Sequence, residues 1–271
     1  MGSTVACIGS GNMGSALMKG IAGKIGWKNI GFADSDAEKA AAAATPAGAK
    51  VYRTNVEAAE NADYLFLAVK PQVLAVVLAE IADTVKRKKP VLVSMAAGWS
   101  ISRIQAAVPC SPAVPVVRIM PNTPAVISKG MTAMTASPQV TAEKARELKN
   151  LLEGAGTVDI IEEKLVDAVT GLSGSGPAFA YMFIEALADG GVLAGLPRDK
   201  ALLYAANTVL GSAAMVGETG RHPGALKDEV CSPGGTTIAG IAALESGSFR
   251  SSVIGAVQAS WRRSLELSGE V

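Results

Sequence analysis

The feature that most constrains the fold is a glycine-rich turn near the start of the chain. Residues 4–8 form a short apolar run, and Gly9-Ser10-Gly11-Asn12-Met13-Gly14 follows at once. Small apolar residues then recur at helical spacing over residues 16–21. Strand, G-x-G-x-x-G and helix in this order are typical of dinucleotide binding: the first glycine makes the turn, the second admits the pyrophosphate, and the third lets the helix pack on the strand.

The next predicted strand carries the residues that would read the cofactor's ribose. Residues 30–33 form this strand, and Asp34, Ser35 and Asp36 follow it, about 20 residues beyond the last glycine. An acid at this place accepts a hydrogen bond from a ribose 2′-hydroxyl and repels a 2′-phosphate, which favours NADH. Asp36 also fits a cap for a helix over residues 37–44, and Lys39 offsets part of the charge.

Further strand ends supply further candidates. The apolar run 64–69 stops at Lys70, and residues 91–94 lead into Ala96 and Ala97, which are small enough to leave room for a nicotinamide ring. Strand ends of an open α/β sheet face the ligand crevice. Lys70 and Asn55 therefore fit either a cofactor contact or an ordinary solvated loop residue.

The second half of the chain has a different character. Strand patterns cease from Glu162, and residues 168–184 and 201–217 carry no charge but do contain polar residues, which favours packed helices over a membrane span. About 110 residues cannot cover two such helices, so we expect a partner subunit to do so. We predict an α/β protein with a Rossmann dinucleotide-binding domain over residues 1–161 and an all-helical substrate-binding and dimerisation domain over residues 162–271.

A second glycine-rich stretch predicts an anion site. Residues 232–237 read Ser232-Pro233-Gly234-Gly235-Thr236-Thr237 and open a predicted helix over 238–244. The first N–H groups of a helix lack partners and attract a carboxylate or phosphate, and two hydroxyls stand ready for the rest of the ligand. The same residues also fit a plain helix cap.

Composition narrows the class of protein. The chain has 25 Lys and Arg against 24 Asp and Glu, which argues against a nucleic-acid partner. Its three cysteines, Cys7, Cys110 and Cys231, are far apart and lack metal-ligand spacing, so we expect a reducing cytoplasm and no metal. We also expect no signal peptide and no membrane span.

The chemistry follows from which proton donors the sequence offers. The single histidine, His222, precedes Pro223 in a turn-rich stretch, and no tyrosine has a lysine four residues on. Hydride addition to a carbonyl needs a general acid, whereas a protonated imine accepts hydride without one. An anion site with hydroxyls and no strong acid therefore suits a cyclic imino acid as the substrate.

Five motifs together resemble one family over essentially the whole chain. They are Gly9 to Gly14, A-V-K-P at residues 68–71, R-I-M-P-N-T-P at 118–124, T-G-L-S-G-S-G-P at 170–177 and S-P-G-G-T-T at 232–237. The resemblance is to pyrroline-5-carboxylate reductase. It implies reduction of 1-pyrroline-5-carboxylate to L-proline, the last step of proline biosynthesis, with NADPH or NADH, in homodimers that assemble further into decamers.

The resemblance also implies a set of site residues. Thr237 would be the catalytic residue, hydrogen-bonded to the ring nitrogen or the carboxylate of the substrate. The substrate-binding set is Ser232, Gly234, Gly235, Thr236 and Thr237. The cofactor-binding set is Gly9, Ser10, Gly11, Asn12, Met13, Gly14, Asp34, Ser35, Asn55, Ala68, Val69, Lys70, Pro71, Ala96 and Ala97. Family members with a basic or small residue at positions 34 and 35 prefer NADPH, so the acid here leaves the choice of cofactor open.

Two other functions fit a dinucleotide-binding chain. β-Hydroxyacid dehydrogenases have a similar build, but they resemble one another in a Lys-x-x-x-Asn pair. In this chain, the positions four residues after Lys164, Lys200 and Lys227 are not asparagine. A non-catalytic NAD(P)-binding redox sensor would need no anion site. Steady NADH oxidation with the imino acid separates these alternatives.

Overall fold

The chain forms two compact units in a computed structural model, which describes residues 3–45 and 48–269. The first unit consists of two segments, the residues up to Gly174 and those from Ser260 onward. The second unit comprises Ser175–Ala259. The functional boundary between residues 161 and 162 stays a prediction.

An eight-stranded sheet organises the first unit. Its strand order is β3-β2-β1-β4-β5-β6-β7-β8, and every neighbouring pair is parallel except β6 and β7. The strands are β1 Val5–Ile8, β2 Ile30–Ala33, β3 Lys50–Val51, β4 Tyr64–Leu67, β5 Val91–Ser94, β6 Val116–Met120, β7 Gly130–Ala136 and β8 Gly156–Ile160. The central strands are buried on both faces, as their continuous apolar runs predict.

Helices cover both faces of this sheet. They are α1 Asn12–Ile25, α2 Ala37–Ala44, α3 Asn55–Glu60, α4 Pro71–Lys88, α5 Ile101–Ala107, α6 Ala142–Leu152 and α7 Val166–Val169. Alternate residues of β1 point to opposite faces, so that Val5 and Cys7 join one apolar cluster and Ala6 and Ile8 the other. An apolar core thus lies on each face of the sheet, and the ends of its strands remain available for a binding site.

Several predicted bounds match those of the structure, and the differences have local causes. The strands over 30–33 and 91–94 lie where they were predicted. Helix α1 begins inside the glycine motif because Gly11 is its N-cap. Strand β4 ends two residues before the predicted position 69, since the chain turns there to let Lys70 cap α4 with Pro71 in its first turn.

The second unit is helical. It contains α8 Gly176–Leu193, α9 Arg198–Thr219, α10 Pro223–Glu229 and α11 Thr236–Ser246, and α12 Phe249–Ser268 begins in it and ends in the first unit. Helices α8 and α9 pack through the small residues Ala188, Ala201 and Ala205. Among the described residues, no helix is long and apolar enough to cross a membrane.

The charge-free helices are not covered within the single chain. More than half of the surface of each of several large apolar side chains on α8 and α9 is exposed. Examples are Tyr181, Met182, Leu202, Leu203 and Leu210. A lone chain would leave this apolar surface in water, so the packing expected for these helices requires a second copy.

Candidate active site

The glycine-rich turn has the close contacts that its pattern predicts. Gly9 has a φ of +97°, and a Cβ atom there would lie 2.6 Å from the carbonyl oxygen of Ala68. A Cβ atom on Gly14 would lie 2.6 Å from the carbonyl oxygen of Gly9. Apart from its neighbours along the chain, no atom of the described residues lies within 4 Å of a Cβ position on the exposed Gly11. The turn therefore needs glycine at 9 and 14 for packing and leaves Gly11 open to a ligand.

The start of α1 fits a dinucleotide pyrophosphate. Gly11 caps this 14-residue helix without a side-chain hydrogen bond, and the first turn holds no acid. The first backbone N–H groups of a helix lack partners within it and favour an anion. Asn12 and Met13 belong to this first turn, while Ser10 precedes the cap. The open approach at Gly11 and the uncapped helix end together form an anion cradle.

Asp34 is bound to the glycine-rich turn. Its Oδ2 atom accepts hydrogen bonds from the Ser10 N–H at 2.7 Å and from the Ser10 hydroxyl at 2.8 Å, and its Oδ1 atom accepts one from the Asp36 N–H at 3.0 Å. Burial raises the pKa of Asp34, but these hydrogen bonds and the charge of Lys39 outweigh it and hold the pKa below its usual value. Asp34 is therefore a fixed negative charge beside the cradle.

The neighbouring acid has a structural role. Asp36 caps α2 by accepting from the N–H groups of Glu38 and Lys39, and its carboxylate lies 3.3 Å from the Lys39 ammonium. Of the two acids after β2, Asp34 thus faces the glycine-rich turn and Asp36 serves the helix, while Ser35 between them is exposed.

Two further loops end strands beside β1. The loop after β4 begins with the Ala68 N–H donating to the Ile8 carbonyl at 2.8 Å, and Val69, the exposed Lys70 and Pro71 follow. The loop after β5 holds the buried Ala96 and the half-buried Ala97. Because β1, β4 and β5 are parallel neighbours, these loops and the glycine-rich turn lie at the same edge of the sheet.

Asn55 is placed differently from the other candidates. It is the first residue of α3, and its side-chain amide donates to the Glu80 carboxylate at 2.7 Å. That contact holds Asn55 against α4, so its role toward a cofactor stays a prediction.

Two residues of the R-I-M-P-N-T-P motif bind other segments of the first unit. The Asn122 amide donates to the Ser173 carbonyl at 3.1 Å and accepts from the Met131 N–H at 2.8 Å, which ties the end of β6 to the π-helix Thr170–Gly174. Arg118 is buried, and its Nη1 atom lies 3.5 Å from the Glu163 carboxylate. The motif singled these residues out, but spacing alone could not reveal partners that lie far along the chain.

The predicted substrate loop lies in the second unit. Gly234 has a φ of +66°, a conformation that favours glycine, and a Cβ atom on Gly235 would lie 2.3 Å from the Ser232 hydroxyl oxygen, so a larger residue there would displace the Ser232 side chain. Gly235 is the N-cap of the 11-residue helix α11, which no side chain of the described residues caps. Thr236 and Thr237 form its first turn and are exposed. The backbone N–H groups of this first turn and the two exposed hydroxyls suit a small carboxylate.

The histidine and the cysteines are not arranged as a second candidate site among the described residues. His222 is the N-cap of α10, where its Nδ1 atom accepts from the Gly224 N–H at 3.0 Å. The three cysteines are free. Within residues 3–45 and 48–269, no group of His, Cys, Asp and Glu is arranged to hold a metal ion.

Comparison with known proteins identifies the family. The chain is 41% identical to the pyrroline-5-carboxylate reductase of Escherichia coli over 270 residues, which is 99% of each chain. It is 50% identical to that of Synechocystis over 218 residues, which is 80% of each chain. The chain belongs to the pyrroline-5-carboxylate reductase family.

Separate family models match the N-terminal and the C-terminal parts of the chain. Residues 163–267 match the family of pyrroline-5-carboxylate reductase dimerisation domains, and residues 4–98 match the family of coenzyme F420-dependent NADP oxidoreductases. The crystal structure of Plasmodium falciparum pyrroline carboxylate reductase with NADP bound is 30% identical, covers 98% of each chain and superposes with a TM-score of 0.86. This member of the pyrroline-5-carboxylate reductase family is therefore a homo-oligomer with an N-terminal Rossmann fold.

Proposed function

We propose that the protein reduces 1-pyrroline-5-carboxylate to L-proline with NADH or NADPH as the hydride donor, which is the last step of proline biosynthesis. Relatives named for this activity are 41% identical over 99% of the chain. The observation that carries the proposal is the uncapped start of α11, where two glycines precede Thr236 and Thr237. A cyclic imino acid has the carboxylate that such a site binds.

The residues divide into two binding sites. The turn from Gly9 to Gly14 and the first turn of α1 would hold the pyrophosphate, and Asp34 with Ser35 would lie at the ribose. Residues 68–71 together with Ala96 and Ala97 would line the nicotinamide end, and Asn55 would complete the set. When bound, the cofactor supplies the hydride.

The substrate site provides orientation and charge stabilisation. The backbone N–H groups of Thr236 and Thr237 would hold the substrate carboxylate at the start of α11, where the helix dipole is positive, and Ser232, Gly234 and Gly235 would form the loop around it. The Thr237 hydroxyl would orient the ring nitrogen or the carboxylate, and Thr236 lies beside it. Because a protonated imine needs no further proton during reduction, the absence of a strong acid among these residues is consistent with the reaction.

Assembly and location extend this proposal. We place the protein in the cytoplasm because its three cysteines are free, which fits a reducing compartment. We further propose that the dimers assemble into decamers, as in the family it resembles. Light scattering separates two from ten copies of the 27.5 kDa chain.

The test is a turnover assay with purified protein. Absorbance at the wavelength of the reduced nicotinamide is followed with 1-pyrroline-5-carboxylate, using NADH and NADPH side by side, and proline is quantified as the product. We expect steady oxidation with one proline formed per cofactor consumed. Cofactor binding without turnover would support a redox sensor instead, and turnover of a β-hydroxyacid alone would support the dehydrogenase.

A further inference from the structure

The loop after β5 is held in place by a set of contacts that the family motifs do not include. Residues 95–100 connect β5 to α5 and contain Ala96 and Ala97, two of the proposed cofactor contacts. The loop turns at Gly98, which has a φ of +74°, and a Cβ atom there would lie 2.6 Å from the Leu267 carbonyl oxygen. Helix α12 thus ends directly against the loop, which leaves its backbone little freedom to move.

Trp99 joins this loop to the other strand-end loop. Its side chain is only 7% exposed, and its indole N–H donates to the carbonyl of Pro71 at 3.0 Å. Pro71 is the first residue of α4 and closes the loop after β4. One side-chain hydrogen bond therefore spans the two adjacent loops that contain the proposed nicotinamide contacts.

Arg103 supports Trp99 from α5. Its guanidinium carbon lies 4.2 Å from the centre of the indole ring, the geometry of a cation–π contact, and its Nη1 atom donates to the Gly98 carbonyl at 3.0 Å. At the far end of the loop, Glu163 accepts the Ile101 N–H at 2.7 Å. Trp99, Arg103 and Glu163 hence restrain the loop at three successive points.

We infer that Trp99 and Arg103 are positioning residues for the nicotinamide end of the cofactor site, acting as one brace between the loops after β4 and β5. This inference rests on the proposed function, in which those loops line the cofactor. Binding and hydride transfer depend on geometry held to within about an ångström. A brace that sets the spacing of two loops therefore controls the affinity for the nicotinamide ring without touching it.

The first test compares two tryptophans. Trp99→Phe keeps an aromatic ring under Arg103 but removes the indole N–H. Trp27→Phe is the matched control, because Trp27 lies in the short turn Trp27–Asn29 before β2 and its indole makes no hydrogen bond to the described residues. We expect Trp99→Phe to raise the dissociation constant and the KM for NADH about 3- to 10-fold, the effect of one hydrogen bond, and Trp27→Phe to leave both within about 2-fold.

The second test asks whether the two residues act together. Arg103→Ala removes both the stacking contact and the bond to Gly98, and we expect it to weaken NADH binding to a similar degree. If the two residues form one brace, the Trp99→Phe/Arg103→Ala protein should lose less affinity than the product of the two single effects. Independent effects that multiply in full would overturn the single brace.

The readouts separate this inference from the proposed function. NADH affinity is measured by titration of its fluorescence, with no substrate present, so that it tests the brace even if 1-pyrroline-5-carboxylate is not turned over by the wild type. Thermal unfolding of each variant is recorded in parallel. A Trp99→Phe protein with a lowered Tm but wild-type NADH affinity and KM would assign Trp99 to stability alone and refute the inference.

Discussion

The choice between NADH and NADPH should depend on the charge of Asp34. Its Oδ2 atom already accepts two hydrogen bonds from Ser10, whereas Oδ1 accepts one from the part of the chain that the structure describes, from the Asp36 N–H. Each carboxylate oxygen can accept two, so Oδ1 keeps room for a ribose 2′-hydroxyl. A 2′-phosphate at the same place would instead meet a fixed negative charge. We therefore expect the wild type to use NADH at least as well as NADPH.

The magnitude follows from Coulomb's law and from the lost hydrogen bond. Two unit charges about 6 Å apart at an effective dielectric constant of about 60 repel by roughly 1 kcal/mol, and a phosphate carries more than one charge. A hydrogen bond from the ribose to a charged group contributes about 1 kcal/mol or more to NADH binding. Asp34→Ala should therefore shift the preference toward NADPH by about 1 to 2 kcal/mol, which is roughly 5- to 30-fold in the ratio of kcat/KM values.

The ratio of the two cofactors isolates this effect from damage to the fold. Asp34→Ala also frees Ser10, but a looser glycine-rich turn weakens NADH and NADPH alike and cancels in the ratio. Asp36→Asn is the matched control, because it removes the same charge two residues away while an amide oxygen still caps α2; we expect a shift under about 2-fold. The assay measures kcat/KM with both cofactors at a fixed imino acid concentration.

The preference for NADH should not change with pH in the neutral range, because it depends on the charge of the Asp34 carboxylate. The hydrogen bonds to Asp34 hold its folded pKa below the unfolded value, so the carboxylate stays charged throughout the neutral range. The contribution of this carboxylate to the free energy of unfolding is complete above the pKa of the unfolded state. It is lost only as the pH falls through the lowered pKa of the folded state. A wild type strongly selective for NADPH, or an unchanged ratio in Asp34→Ala, would refute the reasoning.

Three further predictions concern catalysis, assembly and reactivity. Thr237→Ala should lower kcat/KM for the imino acid about 10- to 1000-fold at unchanged NADH affinity, since it removes one positioned hydroxyl; steady-state kinetics with an unaffected rate would exclude Thr237 from the reaction. Leu203→Lys should give insoluble or inactive protein, because this α9 side chain is 51% exposed in one chain and needs a partner to cover it. Sedimentation of the wild type as a stable, active 27.5 kDa species would contradict that view. Burial and the charge of Asp34 raise the pKa of Cys7 to about 12, so iodoacetamide at pH 8 should label the more accessible Cys110 and Cys231 before Cys7, and mass spectrometry that finds Cys7 labelled equally fast in the folded protein would disprove it.

The sequence alone determined the features that depend on local chemistry. The spacing of Gly9, Gly11 and Gly14 after an apolar run predicts the turn and the helix that follows, because glycine tolerates the positive φ at Gly9 and the close backbone contacts at Gly9 and Gly14 and leaves room for a ligand at Gly11. Buried parallel strands such as 91–94 are recognisable because they are apolar on both faces. The change from strands to charge-free helices after Glu162 likewise predicts the two kinds of structure, and the motifs at 118–124, 170–177 and 232–237 indicate the family.

Only the tertiary structure decided which of these residues meet. The sequence already allows Asp36 to cap the helix that follows it, as it does in α2, but the contact of Asp34 with Ser10 depends on how β1 and β2 pair. Trp99 carries no motif signal, because its partner Pro71 lies 28 residues away and is reached through a backbone carbonyl that any residue would offer. Contacts across parallel strands join residues far apart along the chain, so their identity is set by strand order and register, which no local pattern contains.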